Sequence, residues 1–177
     1  MKADIAYTFE RIYRDEGDAI FRFCLVRVSN RQQALDITQD TFLRFWQSIQ
    51  QEKEILNNRA FLFTIAHHLI IDWYRKKKSF SLESLLGAEE TEYNLPDNTV
   101  KSDEEGGAEG RFVLEKVNEL SSSYRDPVYL RYVEGLSPGE IGKILGISAN
   151  AASVRVNRGL LELRKKTGYD DKEKNKE

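Results

Sequence analysis

Apolar residues recur along most of this chain at three- and four-residue steps, and they do not alternate with period two over any useful length. From Gln32 to Gln50 the positions Ala34, Ile37, Phe42, Phe45, Trp46 and Ile49 draw one stripe down a helix. From Asn58 to Lys78 the set Phe61, Leu62, Ile65, Ala66, Leu69, Ile70 and Trp73 does the same, closing on the cations Arg75-Lys76-Lys77-Lys78, which suit the negative end of a helix dipole. The polar stretch QQEKEILNN between them reads as a loop, with Asn57 or Asn58 as the next N-cap. Two earlier helices, over about Ile5–Asp15 and Asp18–Val28, complete an expected bundle.

Downstream the pattern predicts four shorter helices. The first covers about Gly110–Leu120. The second begins within Ser121–Asp126, with Pro127 in its first turn or at a kink, and runs to Val133 or Glu134, where Gly135 ends it. Ser137-Pro138-Gly139-Glu140 is a capping box with proline at the first helical position. Gly146 closes that helix, and Ser148 caps a last one that ends in Arg164, Lys165 and Lys166. The expected fold class is all-α.

Charge divides the chain further. Residues 1–78 carry 13 Lys and Arg against 10 Asp and Glu, net +3; residues 79–110 carry one base against nine acids, net −8; residues 111–177 carry 13 bases and 10 acids, net +3. The acidic stretch also holds Gly106, Gly107, Gly110 and Pro96 and few apolar residues, so it reads as a flexible linker, with a short turn of helix at Leu82–Leu86. The expected organisation is two small helical domains, 1–78 and 111–167, joined by the linker 79–110 and followed by a charged tail, 168–177.

Some function classes drop out. No run approaches the roughly 18 to 20 apolar residues of a membrane span, and the N-terminus has no apolar core of the signal-peptide kind, so the expected location is cytoplasmic, without membrane insertion. Cys24, the single cysteine, lies in the apolar run FRFCLV and reads as a buried structural thiol. His68 and Asp72 stand four apart, a spacing open to two metal ligands, but no third ligand lies nearby and no phosphate loop or nucleophile set occurs. No metal, no cofactor and no enzymatic activity are expected.

The segment Ser137–Lys165 reads as a helix-turn-helix with the turn Gly146-Ile147-Ser148, the Ile able to pin the two helices together. On its second helix Ala152, Val156, Leu160 and Leu163 form a core face, and Asn150, Ser153, Val154, Arg155, Asn157 and Arg158 form an outward face. Small polar and basic side chains at a helix N-terminus suit base edges in a major groove. Arg164, Lys165 and Lys166 suit phosphates, which position rather than specify. A plain helical hairpin with solvated arginines also fits these residues.

The N-terminal block discriminates further. Ala34-Leu35-Asp36-Ile37-Thr38-Gln39-Asp40-Thr41-Phe42-Leu43-Arg44-Phe45-Trp46 resembles the region-two helix of the extracytoplasmic-function group of sigma factors, in the sigma-70 family. The run from Phe61 to Arg75 resembles the next helix of that region, and Tyr124-Arg125-Asp126 with Tyr129 to Ser137 is similar to the entry into region four. The resemblance covers nearly all of the chain outside the linker and tail. It implies a protein that binds core RNA polymerase, on the β′ coiled coil and the β flap, and directs it to promoter DNA. It implies polymerase contacts at Asp36, Gln39, Asp40, Leu43 and Trp46, with Phe42 and Phe45 weighed as core. It implies minus-ten contacts at Lys53, Asn57, Asn58, Trp73, Tyr74, Arg75, Lys76 and Lys77. It implies minus-thirty-five contacts at Asn150, Ser153, Val154, Arg155, Asn157, Arg158 and Lys165. An anti-sigma factor is a further implied partner. Gly142, Ala151, Ala152 and Gly159 depart from the family pattern, and the two glycines are expected to weaken their helices by about 0.5–1 kcal/mol each. A helix-turn-helix regulator that acts without polymerase, and a helical protein scaffold, are the alternatives.

Overall fold

The computed structural model describes residues 2–84 and 115–168, with side chains over residues 5–78 and 115–168. Among these residues every regular element is a helix. The chain divides into two compact units, Met1–Val100 and Lys101–Glu177.

Three helices build the N-terminal unit, each packed on the other two: α1 (Lys2–Val28), α2 (Arg31–Gln50) and α3 (Asn58–Ser84). The first is one helix where the sequence suggested two, because the charged run Arg14–Asp18 interrupts the apolar stripe. In the fold Ile12, Ala19, Ile20 and Phe23 lie buried along one continuous face. Glu16 fills the gap by pairing with Arg59 at the start of α3. Gly17 within a helix costs about 1 kcal/mol relative to Ala. A break there would leave several backbone groups unpaired, each worth about 0.5–1.5 kcal/mol, so continuity wins. A Cβ on Gly17 would meet nothing within 4 Å. Gly17→Ala is therefore expected to stabilise this unit by about 0.5–1 kcal/mol, read as a higher urea midpoint by circular dichroism; a lowered midpoint would contradict the continuous helix.

The turn into α2 uses Ser29, at φ 52°, and Asn30, whose side chain accepts from the Gln33 N–H at 2.9 Å. Three hydroxyls face the core from α2. Thr38, Thr41 and Ser48 each donate to the carbonyl four residues back, at 2.7, 2.7 and 2.9 Å, so their burial leaves no hydroxyl unsatisfied. Phe23 and Phe63 meet edge to face at 5.2 Å in the same core. Cys24 is fully buried there, and burial pushes its thiol up to about 11, which keeps it protonated and inert as its apolar setting predicts. The third helix continues past the expected end at Lys78 to Ser84.

The C-terminal unit consists of a helical turn over 115–118, then α4 (Ser122–Tyr132), α5 (Pro138–Leu145) and α6 (Ala149–Thr167). The helix expected over Gly110–Leu120 is described only from residue 115. Pro127 stands beyond the first turn of α4, because that helix starts at Ser122. The bond it omits would have used the carbonyl of Ser123, an exposed residue where water can substitute. Val133 rather than Gly135 caps α4; Gly135, at φ 70°, then turns the chain so that the Leu136 N–H reaches the Leu130 carbonyl at 3.0 Å. Buried Arg125 donates to the Leu120 carbonyl at 2.8 Å, tying the preceding turn to α4. The expected linker from residue 85 to 110, and the tail from 169, lie outside the described residues.

Candidate polymerase and nucleic-acid interfaces

Three surfaces carry the residues of interest, and each is set by a helix register. On α2 the core takes Ala34, Ile37, Phe42 and Phe45, the last two at 2% and 0% exposure. The opposite positions are then forced outward: Asp36, Gln39 and Asp40 are exposed, and Leu43 is 53% exposed. Asp36 accepts from the Gln32 side chain at 3.0 Å. Trp46 is half-buried, its ring 5.0 Å from Phe9 on α1. Leu43, Trp46 and Phe42 join Ala6 and Phe9 around an apolar hollow of about 340 Å³. Sequence reasoning missed the share of α1 in this surface. Its signal was the pair Phe9 and Tyr13, four apart; the Tyr13 ring lies 4.7 Å from Phe42.

The second surface is the loop 51–57 together with α3. Lys53 is exposed, and its N–H bonds the Ser48 carbonyl at 3.2 Å. Glu52 adopts φ 53°, a left-handed turn just after α2. Asn57, not Asn58, caps α3: its side-chain oxygen accepts from the Ala60 N–H at 3.0 Å. Asn58 is half-buried as the first helical residue. Leu56, beside the cap, is 88% exposed and was not singled out in the sequence.

Further along α3 the aromatics act first as ties. The Trp73 indole N–H donates to the Gln33 side chain at 2.8 Å, and the Tyr74 hydroxyl donates to the Arg27 carbonyl. Together they fasten α3 to the α1–α2 junction. Lys77 lies 5.1 Å over the Trp73 ring, Arg75 pairs with Asp72 at 3.0 Å, and Arg75 to Lys78 are all exposed. The residues expected at the minus-ten element thus form two groups rather than one cluster. Lys53, Asn57 and Asn58 stand at the start of α3 and Trp73 to Lys77 further along it, roughly 25–30 Å away at 1.5 Å per residue. His67 and His68 rings are 6.2 Å apart, and among the described residues no group of three or more His, Cys, Asp or Glu is placed to hold a metal ion.

The third surface is the helix-turn-helix. Ser137 accepts from the Glu140 N–H while the Glu140 carboxylate accepts from the Ser137 N–H at 2.7 Å, the reciprocal box read from the sequence. Gly146 closes α5 at φ 67°, half-buried Ile147 donates its N–H to the Gly142 carbonyl at 2.9 Å, and Ser148 accepts from the Ala151 N–H at 3.1 Å. The buried stripe of α6 is Ala152, Val156, Gly159 and Leu163; Leu160, expected in it, is only half-buried. Gly159 occupies the core line because a Cβ there would stand 2.5 Å from Val128 Cγ2 and 3.0 Å from Tyr124 Cβ on α4. Asn150, Val154, Asn157 and Arg158 are exposed on the outer face, and Ser153 and Arg155 are half-buried beside them. Lys165 is exposed in the last turn, whereas Lys166 turns toward Glu119 at 3.9 Å. Glu119 also pairs with Lys116, whose ammonium pKa it raises by that hydrogen bond.

A helical bundle with an acidic and apolar outer face, and a separate helix-turn-helix with a polar and basic recognition face, define a transcription protein of the sigma-70 class. Residues 12–80 match Sigma-70 region 2, and residues 113–163 match Sigma-70, region 4. The ECF RNA polymerase sigma factor SigW of Bacillus subtilis is 32% identical over 87% of this chain and 84% of its own length. The RNA polymerase sigma factor YlaC of the same organism is 28% identical over 89% of this chain and 91% of its own. The sigma factor RpoE of Bartonella quintana, solved in complex with the anti-sigma factor NepR, shares the fold with a TM-score of 0.70 at 23% identity, over 89% of this chain and 95% of that one. The chain belongs to the ECF family of RNA polymerase sigma factors. It works with core RNA polymerase to direct transcription initiation, as sigma factors do, and proteins of this class are in general not enzymes. No described helix is long and apolar enough to cross a membrane.

Proposed function

We propose that this chain recruits core polymerase through the outer face of α2, opens the minus-ten element with the 51–57 loop and α3, and reads the minus-thirty-five element with α6. In this reading residues 1–78 and 111–167 are the two working domains, with 79–110 as the tether and 168–177 as a charged tail, and the protein acts in the cytoplasm without a cofactor. The observation that carries it is the outer face of α6, where Asn150, Val154, Asn157 and Arg158 stand exposed on a helix held by two capped ends. On α2, Asp36, Gln39 and Asp40 offer acceptors around the apolar hollow, a pattern suited to a basic partner helix such as the β′ coiled coil. The β flap is the proposed partner of the C-terminal unit. An anti-sigma factor is proposed as a competitor for these faces, since RpoE and CnrH were each solved with a partner of their own, NepR and the cytosolic domain of CnrY.

The deciding experiment is run-off transcription with core enzyme, paired with gel shifts of the same promoter. Specific binding is expected from the holoenzyme and not from the free chain; tight specific binding by the free chain would favour a regulator that acts without polymerase. Asp36→Lys with Asp40→Lys is expected to weaken core binding by about ten- to a hundredfold, since two favourable pairs become repulsive. Competition against the unaltered chain for limiting core enzyme measures it. Equal competition would remove the α2 face from the interface.

A further inference from the structure

Among the polar side chains on the outer face of α6 stands one with no hydrogen-bonding atom. Val154 is 40% exposed, and its neighbours three and four residues away on that face are Asn150, Asn157 and Arg158, all exposed. It takes no part in the buried stripe, which runs through Ala152, Val156, Gly159 and Leu163. Helix formation does not call for it either, since valine is a poorer helix former than alanine. A lone exposed apolar side chain is ordinary on a protein surface; the setting of this one is not. It lies in the second turn of α6, whose start is fixed by Ser148 accepting from the Ala151 N–H at 3.1 Å. Ala149 and Ala151 keep that end slim. In a helix one rotamer of valine dominates, so its isopropyl group loses little freedom on making a contact.

In a major groove an asparagine amide suits adenine and a guanidinium suits guanine, and the one apolar group that the four bases present there is the 5-methyl of thymine. An isopropyl group among amides and guanidinium groups therefore selects for that methyl. Cytosine in the same place would offer only C5–H, and its amino group would lose water against a side chain that cannot accept its hydrogen bond. We infer that Val154 selects a thymine in the minus-thirty-five element by packing against its 5-methyl group. The inference rests on the reading of α6 as the minus-thirty-five helix and assigns that helix one base.

The test uses holoenzyme assembled from the full chain and core polymerase, on a promoter that depends on its minus-thirty-five element. Each thymine of that element, on either strand, is replaced in turn by deoxyuridine, which removes the methyl group and keeps every hydrogen-bonding atom. Competition gel shifts measure the affinity. One replacement is expected to weaken binding about fourfold, the worth of one buried methyl group. With Val154→Ala the difference is expected to vanish, so that thymine and uracil bind alike at that position. Leu161→Ala removes another exposed apolar side chain, in the second half of α6, and is expected to keep the fourfold difference. A uracil effect that persists undiminished in Val154→Ala assigns the methyl group to another residue and overturns the inference, as does an element in which no replacement matters. Exchange of both Arg155 and Arg158 for glutamate checks the reading beneath it. Weakened binding there, with no uracil effect in the unaltered chain, sinks the thymine contact alone, whereas unchanged binding sinks α6 as the minus-thirty-five helix as well.

Discussion

Arg155 and Arg158 exchanged together for glutamate are expected to cut transcription from a promoter dependent on its minus-thirty-five element by at least about a hundredfold. A well-placed arginine contact to a base edge contributes roughly 1–3 kcal/mol. Losing two such contacts and adding two repulsive charges to a groove lined with phosphates exceeds 3 kcal/mol by the same count, and each 1.4 kcal/mol is a factor of ten. Arg155 lies in the N-terminal half of α6, the part of a recognition helix that enters a groove, and Arg158 at its midpoint, with Arg158 exposed and Arg155 half-buried. Lys165, in the last turn, predicts a different signature. Its removal is expected to weaken binding evenly across promoter sequences and to lower the salt slope by about one. Run-off yield from a promoter with and without its minus-thirty-five element measures the arginine pair. Undiminished transcription would show that α6 reads no DNA.

The second large effect concerns stability. Gly142→Ala and Gly159→Ala are each expected to destabilise the C-terminal unit by about 1–2 kcal/mol, the reverse of what helix propensity alone predicts. Propensity favours Ala by about 1 kcal/mol. Against it stands overpacking, typically 1–3 kcal/mol and more where backbone must move. A Cβ on Gly142 would lie 2.7 Å from the Ile147 carbonyl oxygen and 3.2 Å from the Ala149 nitrogen, so the turn of the helix-turn-helix itself would have to shift. At Gly159 the obstacle is Val128 Cγ2 at 2.5 Å, a buried β-branched side chain with little room to rotate. Amide hydrogen exchange across α4 to α6 reads the loss locally, without assuming that the whole chain unfolds as one. Valine at either position is expected to do more damage than alanine. Slower exchange in the alanine variants would refute the close approach.

Those glycines mark where sequence reading stops. Read as departures from a family pattern, they pointed to weak helices; the fold sets Gly142 against the backbone of the following turn and Gly159 against α4, a matter of spacing that helix propensity does not carry. The elements legible in advance were those whose signals are local. The box at Ser137 and Glu140, the left-handed Gly146 and the Ser148 cap all depend on residues within four positions of one another, and each stands where expected. The continuity of α1 was illegible, because its missing apolar position is filled by Glu16 paired with Arg59, 43 residues away. The buried stripe of α2 followed from periodicity, and its outward residues from the family resemblance. The hollow beside them did not, since two of its five lining residues come from another helix. Trp73 and Tyr74 read as minus-ten contacts, and their hydrogen bonds to Gln33 and Arg27 became visible only once three helices were assembled.

One unbroken helix links the 51–57 loop to the cations Arg75 to Lys78, and on the proposed reading this makes the unit a ruler. A flexible hinge between the two would let the protein accommodate promoters of differing geometry; a rigid rod admits a single interval and a single rotational phase. Removing one residue from its middle would swing one end by about 100° relative to the other, so that the two grips would face different sides of the duplex. On the proposed reading, promoter choice by this unit is partly a measurement of length, made before any base is inspected.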